Sequence, residues 1–391
     1  MNDTNPNPVA VRDAMRRNEA ALGGYCYERT APIHTSMLAL LTREHAVWVG
    51  PPGTAKSLLA RLVAGQVSDA VYREFLLSRQ TTEADIIATK SIPDLMAGKE
   101  VWLTERHLTE GHVAFADEVF KASGSTLNAM LAWLNERIVK GSIRSPLVSC
   151  FAASNEWIED DSLKALRDRF LFGHQIGYMA ALDNRVRYLK DRAARRPLPA
   201  LRTFTLDDLA AAQAEVERIP MEPALFSSLA ECQSNLLNAG VEVSDRTLGK
   251  CCAVVQAEAW LSGDEEAGAE HVDPLRHVLW GTPNEIPVVE RAVAGIDRGP
   301  IQAIRAIADE ALGEYYELAP NGDAWSSDAE RAAFAEAAAR IMSAVSDAGV
   351  RLRNEYPRDV LTVRAQRRVA TYMQEMRTAF NLAREHAHLS R

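Results

Sequence analysis

One short stretch of the chain contains the residue types that bind phosphate: AVWVGPPGTAKSLLA, residues 46–60. An apolar run typical of a buried strand is followed by two Gly and two Pro at 50–53, which force a turn. Lys56 and Ser57 then begin a helix-forming run. Backbone N–H groups at such a turn converge on an anion, and the helix dipole favours its charge. Lys56 could therefore reach bound phosphates, and the Ser57 hydroxyl could ligate Mg²⁺.

The spacing of this stretch is that of a P-loop, G-x-x-x-x-G-K-[ST], with one departure. The residue before Lys56 is Ala55 rather than Gly. For this stretch alone, an ordinary strand–turn–helix that carries Lys-Ser by chance is the alternative interpretation. Motifs further along the chain bear on the choice between the two.

A pair of carboxylates follows a second apolar run. Asp117 and Glu118 come directly after VAFA at 113–116. The first could hold Mg²⁺ through water, and the second could orient and deprotonate an attacking water. Such pairs after apolar runs are common by chance, so this motif gains its weight from the P-loop upstream.

Two further polar motifs fit the same chemistry. Asn155 closes a buried strand at 147–154 and could position the attacking water, although Asn also commonly ends strands. A helix predicted at 162–170 ends in Arg167-Asp168-Arg169. An arginine there could reach a nucleotide in the next subunit, or it could be a solvated surface charge.

Strands and helices alternate through residue 178, which predicts an α/β sandwich with a parallel sheet. The phosphate loop and the acidic strand end would then lie at the same sheet edge, where such folds bind ligands. Residues 78–112 are polar and predict an insertion between two core strands. Residues 137–144 alternate around Gly141 and predict a hairpin, which either contacts a substrate or neighbouring subunit or is simply solvated.

Composition limits the remaining classes of function. The 391 residues carry a net charge of -9, which argues against broad binding to nucleic acid. Five Cys without a C-x-x-C pair indicate neither a zinc site nor a disulfide framework. The polar N-terminus lacks a signal sequence, and no apolar run approaches the length of a membrane span. We therefore expect a cytoplasmic protein.

The flanking segments are predicted to be helical. Helices at 11–22 and 33–41 precede the phosphate loop, and the loop GYCYERT between them either covers a bound base or is a plain connector. The charged segment that ends in RRPLPA is predicted to be a linker by composition. Further helices are predicted at 206–218, 223–239, 245–261, 274–279, 300–318, 329–350 and 360–385.

In this order, GPPGTAKS, VAFADE, AASNE and ALRDRF resemble an AAA+ ATPase. The Ala before the Lys, the insertion before the acidic strand and the predicted hairpin look like the MoxR family. GYCYERTAPIH, VSDRTLGKCCAVVQAEAWLSG and HVLWGTPNE look most like its RavA-type branch. The resemblance covers about residues 8–285. RavA-like proteins often carry a small β-rich insertion after the lid, and we find no such insertion in this sequence.

The resemblance implies ATP/ADP and Mg²⁺ as cofactors and a role for each motif. Lys56 would contact the β- and γ-phosphates, and Ser57 and Asp117 would hold the metal. Glu118 would be the catalytic base, and Asn155 the sensor that holds the water. The phosphate cradle as a whole would be Gly50, Pro51, Pro52, Gly53, Thr54, Ala55, Lys56, Ser57 and Leu58.

The resemblance also implies arginines that complete the site. Arg169 is the best candidate for a finger that acts in trans, and Arg167 is a weaker one. Arg246, at the start of a helix, matches the second sensor of the family, which reports the γ-phosphate to the lid. A trans arginine would make hydrolysis depend on ring assembly.

The implied domains run in order along the chain. They are an N-terminal helix with a base-covering loop (1–30), an AAA+ αβα core (31–178), a linker (179–204), an all-α lid (205–285) and a C-terminal helical region (286–391). The sequence of that last region suggests no chemistry, and we expect its helices to form a bundle that packs on the ATPase or against a partner.

Three functions are compatible with these motifs. The first is an ATP-hydrolysing ring, a hexamer by resemblance, that remodels a protein client as a chaperone does, with a von Willebrand factor A domain protein as partner. The second is a nucleotide-gated scaffold with little turnover, against which the combination of Glu118, Asn155, Arg169 and Arg246 argues. The third is the motor subunit of a metal-chelatase-like complex.

Overall fold

The computed structural model describes residues 6–157, 168–296 and 328–355, together with positions 370, 373, 374 and 377. The helices within these ranges are α1 Pro8–Gly23, α2 Thr30–Thr42, α3 Lys56–Ala64, α4 Glu83–Ile86, α5 Ile92–Met96, α6 Gly124–Glu136, α7 Leu182–Ala193, α8 Leu206–Val216, α9 Pro223–Asn238, α10 Asp245–Ser262, α11 Ile286–Ala294 and α12 Asp328–Glu355. The strands are β1 Ala46–Val49, β2 Tyr72–Leu76, β3 Thr89–Lys90, β4 Trp102–Leu103, β5 Val113–Asp117, β6 Ile138–Val139, β7 Ile143–Arg144, β8 Ser149–Ser154 and β9 Phe172–Gln175.

Five of these strands form the central sheet, in the order β2-β5-β8-β1-β9, and each pairs with its neighbours in parallel. The inner strands β1 and β8 are buried along their whole length, as their continuous apolar runs predict for a sheet covered on both faces. Helices surround the sheet, and an all-helical lid follows. The predicted α/β class with a parallel sheet and a helical lid is confirmed.

The core of the sheet is centred on Trp48 of β1. Its ring stacks on Phe151 of β8 at 5.3 Å between centroids and lies 6.4 Å from Phe115 of β5. All three rings are fully buried. Aromatic packing across three adjacent strands therefore holds together the strands that lead into the candidate site.

Two small antiparallel sheets are separate from the central sheet. β3 pairs with β4 inside the insertion, and β6 pairs with β7 around Gly141, which has a φ of +73°. The second pair is the predicted hairpin. In the first pair, α5 lies between β3 and β4 along the chain, and its Ile92, Leu95 and Met96 are all exposed.

The N-terminal helices belong to the packing of the lid as well as to the core. α1 and α2 both contact α8 and α10, and Val11, Met15 and Ile33 are fully buried there. α11 packs through Val289 and Val293 beyond residue 285, where we expect the lid to end. The segment predicted as a helix at 274–279 is a 3-10 helix, Asp273–His277.

The predicted linker at 179–204 contains a regular helix, α7. Composition alone indicates a linker there, because the segment is rich in charged residues and ends in RRPLPA. Three predicted elements lie wholly or mostly outside the described residues: the helices at 162–170, 300–318 and 360–385. Arg167 also lies outside them.

Among residues 6–157, 168–296 and 328–355, no helix is long and apolar enough to span a bilayer.

Candidate active site

The phosphate loop begins where three strands end. Gly50 donates its N–H to the carbonyl of Ser154 at 3.0 Å, and Ile176 donates to the carbonyl of Val49 at 2.7 Å. A Cβ on Gly50 would lie 1.8 Å from the carbonyl oxygen of Ile176, so no other residue fits without a backbone shift. The loop then turns through two left-handed residues, Gly53 at φ +80° and Ala55 at φ +69°. α3 starts at Lys56 with no side-chain cap on its first turn, so its first N–H groups have no partner within the helix.

The side chain of Lys56 is buried within this loop. Its Nζ donates to the carbonyls of Gly50 at 2.6 Å and Pro51 at 3.1 Å, and to Oδ1 of Asn155 at 3.3 Å. Burial lowers the pKa of Lys56, and the carboxylates of Asp117 and Glu118 oppose that shift. The ammonium group is therefore weakly solvated and close to two anions, which suits it to a ligand with several negative charges.

Asp117 and Ser57 lie opposite one another at the end of β5. The Ser57 hydroxyl is 3.4 Å from Oδ2 of Asp117. The other carboxylate oxygen accepts the N–H of Glu118 at 3.0 Å. Burial, with the nearby carboxylate of Glu118, raises the pKa of Asp117 against the lowering effect of that N–H bond. A cation placed between Ser57 and Asp117 would offset this penalty.

Glu118 and Asn155 are directly joined. Asn155 donates from Nδ2 to Oε1 of Glu118. Lys121 lies 3.3 Å from Oε2 of the same carboxylate. Glu118 itself has a left-handed backbone, φ +55°, which is uncommon for a residue other than Gly and is often found at functional sites. Glu118 is thus held toward Lys56 and the phosphate loop through Asn155.

These groups fit a nucleotide with Mg²⁺. A Cβ on Gly53 would meet nothing within 4 Å, so the outer side of the loop is open. The start of α3 supplies N–H groups for an anion, and Lys56 supplies a cation. The Ser57 hydroxyl and the Asp117 carboxylate are hard oxygen donors, the kind that Mg²⁺ prefers.

The structure adds one residue that the sequence motifs do not identify, Arg29. Its guanidinium is buried and donates to the carbonyls of Thr54 at 3.4 Å, Glu28 at 2.8 Å and Gly177 at 2.6 Å. Burial lowers its pKa. Arg29 therefore braces the phosphate loop against the loop at 24–30. Its only sequence signal is a charge immediately before the apolar helix that leads into β1.

The arginines that were predicted to complete the site, Arg169 and Arg246, do not lie at the phosphate loop. Both bind one aspartate, Asp168. Oδ2 of Asp168 accepts from Arg169 at 2.8 Å and from Arg246 at 2.7 Å, and Arg246 also reaches Oδ1 of Asn135 at 3.4 Å. These contacts join the core to the start of α10 in the lid.

This arginine cluster is at the far edge of the sheet from the phosphate loop. Phe172, just after the cluster, pairs with Ala46 at the start of β1, whereas the phosphate loop follows Val49 at its end. A strand rises about 3.3 Å per residue, so the two edges are about 10 Å apart along β1. The structure brings Lys56, Ser57, Asp117, Glu118 and Asn155 together, and it places Arg169 and Arg246 apart from them.

Comparisons with known proteins match the same two parts of the chain. A family model described as the MoxR domain in the MoxR-vWA-beta-propeller ternary systems matches residues 15–188, and an AAA lid domain model matches residues 224–293. The chain belongs to the MoxR family of AAA+ ATPases. In this MoxR protein the first match spans the phosphate loop, Asp117, Glu118 and Asn155, and the second spans Arg246.

Two proteins that are similar to this MoxR chain come from Methanocaldococcus jannaschii. Uncharacterized protein MJ0079 is 33% identical over 279 residues, which are 70% of this chain and 72% of that protein. Uncharacterized protein MJ0812 is 34% identical over 268 residues, 68% of this chain and 70% of that protein. A crystal structure from Cytophaga hutchinsonii, described as a "putative ATPase", superposes with a TM-score of 0.59 at 15% identity, over 74% of this chain and 95% of that one. At that identity it supports the fold alone.

Proposed function

We propose that this MoxR protein hydrolyses ATP to ADP and phosphate in a ring of identical subunits and couples turnover to the remodelling of a protein client. One observation carries the proposal. The phosphate-binding residues and Glu118 converge at one edge of the sheet, while Arg169 and Arg246 lie together at the other. A complete site for phosphoryl transfer then needs two copies of the chain.

Each residue at the loop edge has a distinct task in this proposal. Bound MgATP supplies the γ-phosphate that is attacked. Lys56 offsets negative charge on the phosphates, and Ser57 and Asp117 hold the metal. Glu118 orients the attacking water and accepts its proton, and Asn155 fixes the direction in which the Glu118 carboxylate points. Their contacts at 3.4 Å or less support these assignments.

The arginine edge supplies the remaining charge to a neighbouring subunit. Guanidinium groups stabilise the charge that develops on the transferred phosphoryl group. Because Asp168 holds Arg169 and Arg246 side by side, one neighbour would present both at once. The second sensor would then act in trans like the finger, and it would connect the lid of one subunit to the nucleotide of the next.

The partner follows from the family rather than from the site. The matching family model describes MoxR domains of systems that also contain a vWA protein. We therefore propose a von Willebrand factor A domain protein as the partner of this chain. The net charge of -9 favours a protein client over nucleic acid, and we propose a cytoplasmic location.

Subunit mixing tests the shared site. Steady-state ATPase activity is measured against protein concentration for wild type, Glu118→Gln and Arg169→Ala, with sizing in parallel. We expect wild-type turnover to rise with assembly and both variants to lose about 100-fold or more. A 1:1 mixture of the two variants should recover part of the activity, because some interfaces pair an intact Glu118 with an intact Arg169.

The matched control is Arg106→Ala. Arg106 is exposed on the insertion, and its ion pair is with its neighbour Glu105 at 4.0 Å. This variant should keep wild-type turnover. If the mixture stays as inactive as its components, the site is not shared between subunits. If wild type assembles on ATP without turnover above Glu118→Gln, the nucleotide-gated scaffold replaces the remodelling ATPase.

A further inference from the structure

Helix α7 presents its apolar face to solvent and its polar face to the protein. Leu182, Val186 and Leu189 recur at helical spacing and are 66%, 41% and 64% exposed. In the part of the chain that the structure describes, none of the residues of α7 is buried. A surface helix of a monomer normally has the opposite orientation, with its apolar stripe on the core. An exposed apolar face of this kind is typical of a surface at which a further contact forms.

The inward face of α7 is held by polar contacts. Glu28 accepts the N–H groups of Ala180 at 2.7 Å and Ala181 at 2.9 Å, and the amide of Asn184 at 3.0 Å. Asp191 accepts the hydroxyl of Tyr27 at 2.7 Å. Asn184 and Asp191 lie on the face of the helix opposite to Leu182 and Leu189. The orientation of α7 is therefore fixed by the loop at 24–30.

The charge around α7 differs from that of the rest of the chain. Residues 178–202 contain seven Arg or Lys and two Asp, whereas the lid at 205–285 contains four Arg or Lys and fifteen Asp or Glu. A cationic, apolar helix face and a strongly acidic lid are complementary. Two copies of the chain could bring the two into contact.

The lid offers an apolar stripe of its own. Phe226 and Leu237 of α9 are 52% and 50% exposed. They are eleven residues apart, close to three helical turns, so they lie on the same side of α9 with the exposed Ala230 between them. Acidic Glu231, also exposed, follows Ala230. The charge of Glu231 beside this stripe is opposite in sign to the excess of Arg and Lys around α7.

The two stripes lie on the two sides of the subunit that a shared site would join. α7 is fixed to the loop whose Arg29 contacts the phosphate loop. The second half of α9 adjoins the arginine edge, because Gln233 donates to Oδ1 of Asp245 at 3.2 Å, next to Arg246. A head-to-tail arrangement that brings the arginine edge to the neighbouring phosphate loop would also bring α9 toward α7.

We propose that the apolar face of α7 docks on the exposed stripe of α9 in the lid of a second copy of this chain. The partner is thus an acidic, apolar lid surface. This inference rests on the proposed ring, and it names the contact that holds neighbouring subunits together. Loss of the contact would weaken assembly without removing any group from the ATP site.

Charge-swap variants test the docking. Leu189→Glu places a carboxylate against the acidic lid, and Leu237→Lys places a cation against the basic segment. We expect each to raise the protein concentration for half-assembly with ATP by about tenfold or more, since a buried leucine contributes on that scale. The double variant should recover most of that loss. Leu198→Glu, at a residue 55% exposed in the same segment but outside α7, is the matched control and should assemble like wild type.

The outcomes separate the docking from the proposed function. At concentrations high enough to assemble, Leu189→Glu should hydrolyse ATP at the wild-type rate. If wild type shows assembly and arginine-dependent turnover while Leu189→Glu and Leu237→Lys assemble normally, the docking is wrong and the ring stands. If Leu189→Glu lowers only the melting temperature of the monomer, the face is covered within its own chain. If it abolishes only binding of a vWA protein, that partner covers the face. Either result overturns the docking.

Discussion

Gly50 lies where β1, β8 and β9 end. A glycine is required there because neighbouring backbone is close, not because φ is positive. The backbone of Ile176 approaches within 1.8 Å of where a Cβ would be. Because backbone cannot move aside as a flexible side chain can, even a methyl group must displace the end of a strand. The close approach that the fold needs here is thus the same one that shapes the phosphate loop.

We expect Gly50→Ala to lower the free energy of unfolding by about 1–3 kcal/mol, the usual cost of overpacking, and to abolish nucleotide binding. Urea unfolding and binding of a fluorescent ATP analogue measure the two effects. Gly124→Ala is the control, because a Cβ on Gly124, in the first turn of α6, meets nothing within 4 Å. That variant should be neutral or slightly stabilising. Equal stability of both variants would show that the strand end can shift freely.

At the scale of elements, His34 of α2 joins three helices. Its Nδ1 lies 2.9 Å from Glu19 of α1, and its Nε2 lies 2.7 Å from Glu258 of α10. Burial would lower the pKa of His34, but the two carboxylates together hold it well above its ordinary value. Nearby His277 has the opposite shift, because burial with Arg276 and His34 lowers its pKa to about 4. Of these two histidines, His34 is therefore the one that carries a charge.

A raised pKa in the folded state stabilises the fold below the unfolded pKa, and that stabilisation is lost as pH rises through the folded pKa. We expect His34→Gln to lower the melting temperature by about 2–4 °C near about pH 6, with a smaller difference from wild type near about pH 9.5. His107→Gln is the control, since the two ring nitrogens of His107 lie against the carbonyls of Glu105 and Ala84 rather than against two carboxylates. A difference that stays constant with pH would mean that His34 contributes packing alone.

At the scale of the whole molecule, charge is segregated. The net charge of -9 is unevenly distributed, with a basic segment at 178–202 and an acidic lid at 205–285. Charge of one sign within a subunit repels itself, but opposite charges on two sides of a subunit favour association from head to tail. Assembly should therefore weaken as ionic strength rises, which would not hold for a purely apolar interface.

We expect the protein concentration for half-assembly to rise about tenfold between about 0.1 and about 1 M salt, as the Debye length falls from about 10 to about 3 Å. Sizing at a series of dilutions with ATP present measures it. The double variant Leu189→Glu/Leu237→Lys should show a similar dependence, because it keeps opposite charges across the contact. Assembly that strengthens with salt would indicate that apolar contact dominates and that the charge segregation has another purpose.

The sequence alone determined the phosphate loop, the acidic strand end and the parallel sheet, whereas the lid was implied by the resemblance to AAA+ ATPases. The first three depend on local spacing: a turn between a strand and a helix near Lys56, or carboxylates directly after a buried strand at Asp117. Such patterns lie in consecutive residues, so they can be interpreted without knowledge of the tertiary contacts. The roles of the site residues and the domain boundaries stay predictions.

Only the tertiary structure decided where the more distant groups meet. Arg246 and Asp168 are 78 residues apart, and no periodicity links them. The bracing role of Arg29 depends on Gly177 and the phosphate loop, which lie far along the chain. The sequence of α7 is amphipathic, but which face the protein covers depends on Tyr27 and Glu28, not on the helix itself. Periodicity specifies that a helix has two faces, and long-range contacts specify which face meets solvent.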